Sequence, residues 1–175
     1  MPAWASTLLV FLAAAGPPAR LAPKPRTIQP KLVISVSNMT ATPGTISFQA
    51  ADPDSPADPG NTAAKVTWSA TGIIPASWSL SVQAPSASFP GCSTVPVSAV
   101  TVTCSSATVS GGGSGSCGGP VVLSTSAQNL ATGTEAFLSA TYTVNLTFTL
   151  TDSWKYVAQL SPPCSLTVTY TANLN

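Results

Sequence analysis

Apolar and polar residues alternate with a period of two through much of the chain, the pattern of strands with one buried face. The longest run sets Tyr142, Val144, Leu146, Phe148 and Leu150 on one side and Thr141, Thr143, Asn145, Thr147, Thr149 and Thr151 on the other. A second run places Leu166, Val168, Tyr170 and Ala172 opposite Thr167, Thr169 and Thr171. Shorter matches lie at Leu32-Ile34-Val36, Ile46-Phe48-Ala50, Val66-Trp68-Ala70 and Trp78-Leu80-Val82, separated by Pro, Gly, Asn or Asp, and further strands are expected over 95–104 and 120–126. About eight short strands rich in Thr, Val and Ser, with no helical period, point to two packed antiparallel sheets. The expected fold is all-β, an immunoglobulin-like antiparallel β-sandwich braced by disulfides and occupying residues 32–175.

Two segments before residue 32 break this pattern. Thr7-Leu8-Leu9-Val10-Phe11-Leu12 is an apolar run followed by the small residues Ala13-Ala14-Ala15-Gly16, which reads as an export signal over residues 1–19, although Met1–Ser6 holds no Lys or Arg. Residues 20–31 mix Pro23, Pro25 and Pro30 with Arg20, Lys24, Arg26 and Lys31 and read as an extended basic linker. Nothing beyond residue 20 is apolar for long enough to span a bilayer, so a secreted or cell-surface location is expected.

Composition narrows the classes of function. Charged residues make up only 6% of the 175 and apolar ones 44%, enough to build a core. After Lys31, the two bases Lys65 and Lys155 stand against five acids, too few cations to hold a phosphate backbone, so nucleic acid is not an expected partner. The absence of histidine removes the commonest general base. Glycosidase-type chemistry would have to draw on Asp52, Asp54, Asp58, Glu135 and Asp152, three of which crowd one Pro-rich loop. A non-enzyme without a required cofactor is therefore expected. That loop has a second reading besides a rigid turn: Asp52, Asp54, Asp58 and Asn61 offer oxygen ligands suited to a calcium ion, although without the Gly and Glu spacing of the helical calcium loop.

Cys92, Cys104, Cys117 and Cys164 form no CxxC pair, and with no histidine present two disulfides are the simplest account. Sequence leaves all three connectivities open; the pairing expected is Cys92–Cys104 with Cys117–Cys164. Gly111–Gly119 lacks the Gly-Lys-Ser/Thr ending of a phosphate loop and reads as a flexible connector. Trp154 shares the parity of Tyr142 through Leu150 and is expected to continue the core stripe. The alternative is an exposed platform formed by Trp154 and Tyr156, since aromatic rings stack on sugars and protein partners. Asn38-Met39-Thr40 and Asn145-Leu146-Thr147 match the N-glycosylation sequon.

The Thr-rich strands, apolar leader and two cysteine pairs, strongest over Thr141–Trp154 and Leu166–Thr171, resemble bacterial cell-surface β-sandwich modules, in style those of fimbrial subunits and WxL-type wall-binding domains. The sole Trp-x-Leu is Trp78-Ser79-Leu80, outside the final strands, and no terminal Gly with penultimate Tyr is present. The expected function is that of a structural or adhesive surface protein whose partner is another protein or a second copy; the alternative is a carbohydrate-binding module with exposed aromatics and a structural calcium ion. Edge strands template such contacts, and Lys31–Ser37, following the linker, is a candidate donor strand unless it pairs within its own sheet.

Overall fold

The computed structural model describes residues 35–48, 58–59, 63–71, 76–135, 139–156 and 164–174. The expected export signal and linker, the residues 32–34 expected to open a strand, and Asp52, Asp54 and Asn61 lie outside the described residues. Among those described there are fourteen strands and one 3-10 turn, Val97–Ala99. In chain order the strands begin β1 (Ser35–Thr42), β2 (Ile46–Phe48), β3 (Asp58–Pro59), β4 (Ala64–Thr71), β5 (Ala76–Gln83), β6 (Ser88–Phe89) and β7 (Cys92–Pro96). They continue β8 (Val100–Ser110), β9 (Gly113–Cys117), β10 (Val121–Val122), β11 (Gln128–Glu135), β12 (Ala140–Leu150), β13 (Cys164–Leu166) and β14 (Thr169–Leu174). This exceeds the expected number because several ladders are only two or three residues long.

All pairings are antiparallel. One sheet runs β1-β4-β12-β8-β10 with β3 added to β12, a second runs β14-β5-β11-β9, and β13-β2 and β6-β7 form two small ladders. The longest alternating run becomes the central strand β12, with every apolar position buried and every Thr or Asn between them at least partly exposed. The second run keeps its alternation but changes sheets: β13 pairs with β2 and β14 with β5. Lys31–Ser37 is answered over its described part by β1, where Ser35, Val36 and Ser37 pair with Thr71, Ala70 and Ser69 of β4.

The two larger sheets meet through three buried rings. Trp68 of β4 stacks on Tyr142 of β12 at 4.9 Å, and Trp78 of β5 meets both edge-on, at 5.4 and 5.3 Å. Trp78 lies over a floor without side chains: it pairs with Gly133 of β11, which pairs in turn with Gly115 of β9. A Cβ at Gly133 would fall 2.5 Å from the indole Nε1 and collide with the Ser114 carbonyl, and one at Gly115 would fall 3.2 Å from the ring. The indole N–H donates to the Ser114 carbonyl at 3.1 Å. The glycine run is therefore not a flexible connector as expected. Gly113–Cys117 is a strand, and its missing side chains make room for an aromatic ring.

The disulfides also differ from expectation. Cys92 of β7 joins Cys164 of β13, and Cys104 of β8 joins Cys117 of β9. Because β8 and β9 belong to different sheets and follow one another across Gly111 and Gly112, the second bond ties the sheets together at the end of β9 remote from that crossing. The first closes 72 residues, a constraint on the unfolded chain of about 4 kcal/mol in the chain-entropy account.

Gly133→Ala is expected to lower stability by about 1–3 kcal/mol, since the new methyl meets backbone on one side and an immobile ring on the other. Urea unfolding of the oxidised protein checks this; an unchanged midpoint would mean the indole is free to move.

Candidate functional site

The most exposed large apolar side chain among the described residues is Trp154, at 75%. Its setting is built by polar residues that end β12. Thr151 donates its N–H to the Ala99 carbonyl at 2.9 Å, the last backbone tie before the chain turns. The Asp152 carboxylate then accepts the Ser153 N–H at 2.6 Å, and the Ser153 carbonyl accepts the Tyr156 N–H at 2.8 Å. Such local side-chain bonds offer the backbone an alternative to a ladder and close a turn. The expectation that Trp154 continues the core stripe is thus corrected: parity orders side chains only while a strand lasts, and this strand ends at Leu150. Tyr156, its expected companion, is half-buried and packs against the core, and Lys155 between them is exposed.

The outward face of the first sheet is the second surface feature. Register aligns Thr40, Thr67, Thr143 and Thr108 in one row across four strands, and Ser37, Ser69, Thr141 and Ser110 in another. The hydroxyls of Thr40 and Thr67 are 2.7 Å apart, and those of Thr108 and Ser110 donate to carbonyls of β12. Lys65 pairs with Asn145 on this face, and the Asn145 amide donates to the Ser106 hydroxyl at 2.7 Å. The result is a broad hydroxyl surface with little charge, stiffened by its own hydrogen bonds.

A third group is internal. Glu135, 1% exposed at the end of β11, is the one buried charged residue among those described. Neither carboxylate oxygen has a hydrogen-bond partner, and the same holds for the Tyr142 hydroxyl and the Trp68 indole N–H. Burial, reinforced by the carboxylate of Glu135 nearby, pushes the Tyr142 phenol far above the ordinary tyrosine range, although the two groups do not close a hydrogen bond of normal geometry. Burial alone does the same to Tyr170. Sequence reasoning counted Glu135 only as an available acid. Its strand, Gln-Asn-Leu-Ala-Thr-Gly-Thr-Glu, gives no alternating apolar signal from which burial could be read.

Of the calcium candidates, only the backbone of Asp58 is described, paired with Leu150 of β12; no cluster of three or more acids, histidines or cysteines occurs among the described residues. No described helix is long and apolar enough to cross a membrane. Comparison with known protein families, curated proteins and solved structures returns no match.

Two outcomes follow from the buried group. Glu135→Leu replaces a buried polar group that has no hydrogen-bond partner with an apolar one of similar size and is expected to raise stability by about 1–3 kcal/mol, read by urea unfolding; a loss would show that the acid makes a contact the fold needs. The phenols of Tyr142 and Tyr170 keep their protons in the folded state, whereas in the unfolded chain they ionise near pH 10, about the ordinary value. Above that pH the unfolded state binds fewer protons, so stability should fall by up to about 1.4 kcal/mol per pH unit for each phenol. Phenolate absorbance of these two should appear only with unfolding.

Proposed function

We propose that the chain is an exported, non-catalytic surface protein of structural or adhesive kind, its two larger sheets forming an immunoglobulin-like β-sandwich. The observation that carries the reading is Trp154: a large indole 75% exposed on a hydrogen-bonded turn contributes little to the core and is placed to contribute to a contact. Two disulfides suit an oxidising compartment. The Thr-rich strands that resemble fimbrial and wall-binding modules supply the hydroxyl face, a surface suited to packing among neighbours. Partners of this kind are other surface proteins or further copies of the chain.

The free indole face also favours a second reading, a carbohydrate-binding module in which Trp154 stacks on a sugar ring. In that reading calcium at Asp52, Asp54, Asp58 and Asn61 would brace the loop that carries them.

Trp154→Ala separates a contact residue from a structural one. Stability is expected to stay within about 0.5 kcal/mol, while binding to immobilised polysaccharides or to the producing cell surface falls at least about tenfold. Unchanged binding to both would remove Trp154 from the function, and sugar binding alone would favour the second reading.

A further inference from the structure

The four outer edges of the two larger sheets are not equivalent. On the first sheet, β1 is broken by a bulge between Ser37 and Thr40, with Asn38 at a φ of 55°, and β10 is two residues long and preceded by Pro120. Bulges, short strands and prolines are devices that stop an edge from pairing with another chain. On the second sheet, β9 is held against β8 by the Cys104–Cys117 bond. The fourth edge, β14, has none of these. It pairs with β5 in unbroken register from Thr169 opposite Gln83 to Leu174 opposite Trp78. Its sequence, Thr-Tyr-Thr-Ala-Asn-Leu, has no Pro, Gly or charge. Among the described residues no strand pairs with its other side, and β2 covers only the preceding strand, β13.

We infer that the β14 edge is a self-association surface on which a second copy of the chain adds its own β14, antiparallel, to make one continuous sheet through both molecules. Three observations select a second copy as the occupant. A twofold contact brings each residue near its own counterpart, so a charge on the strand would repel itself; no charged residue occurs from 156 to 175. The faces also match. Thr169, Thr171 and Asn173 are exposed, while Tyr170, Ala172 and Leu174 are half-buried on the core side. A twofold axis through Thr171 therefore sets Thr169 opposite Asn173 on the outer face and Tyr170 opposite Ala172 on the inner one, polar against polar and large against small. Finally, Ser35–Ser37, the described part of the edge expected from sequence to pair, leads directly into the bulge of β1, a feature that disfavours strand addition there. This deepens the structural-subunit reading and rests on it, while needing no ligand at Trp154.

The test is sedimentation of the full oxidised chain over a range of concentrations, alongside Thr171→Lys, Thr40→Lys and Thr171→Cys. A concentration-dependent dimer is expected, weakened at least about tenfold by Thr171→Lys, which opposes two like charges, and unchanged by Thr40→Lys on β1. Residues opposite one another in an antiparallel pair have Cα atoms about 4.5–5.5 Å apart, within disulfide reach, so Thr171→Cys should give a covalent dimer on oxidation. A monomer at every concentration with no Thr171→Cys cross-link would overturn the inference, as would a dimer sensitive to Thr40→Lys and indifferent to Thr171→Lys. A monomer that still binds through Trp154 would end self-pairing and leave the adhesive reading intact.

Discussion

The architecture depends on one steric constraint: an indole from the second sheet must reach two rings of the first across the interior. Trp78 can do so only because Gly133 and Gly115 leave their positions in the sheet without side chains, and the bond from its N–H to the Ser114 carbonyl fixes its depth. Large rings bury more apolar area apiece than the aliphatic residues around them, and their edge-on and stacked contacts add specificity. Glycine is costly in a strand. Here the cost is offset by the closer approach of the two sheets.

The same geometry explains what could be read from sequence. β12 was legible from end to end because it is central and unbulged, and its Thr residues declare the outer face. β8 was legible only as far as Cys104: Ser105 is an extra residue opposite the junction of Asn145 and Leu146, and beyond it the parity inverts so that Ala107 and Val109 face the core. β11 carries a similar irregularity at Leu130, leaving Leu130 and Ala131 both buried. A period-two reading cannot follow a strand through a bulge, nor see one made of glycine and serine. Trp154 failed for the opposite reason, since its parity was carried past the end of the ladder.

The candidate surfaces follow from the division of labour between faces. Among the described residues, apolar side chains and the unpartnered polar atoms of Glu135, Tyr142 and Trp68 are enclosed, while the outer surface presents hydroxyls, few charges and the ring of Trp154. The hydrogen-bonded turn after β12 carries that ring out of the core. Among the described residues the exposed indole lies at the end of the central strand, and the edge strand with no bulge, proline or disulfide is β14.

The pairing of Cys104 with Cys117 bears on how the molecule must be made. Cys104 is almost equally distant along the chain from Cys92 and Cys117, so loop-closure entropy gives the native bond no advantage over its neighbour. During N-to-C synthesis Cys92 is the partner that appears first. Only when β8 and β9 have packed does the native choice become the favoured one. Faithful maturation therefore requires either that oxidation wait for the sheets or that an early Cys92–Cys104 bond be reshuffled by thiol exchange. The yield of correctly bridged protein is then governed by thiol exchange as much as by the stability of the finished fold.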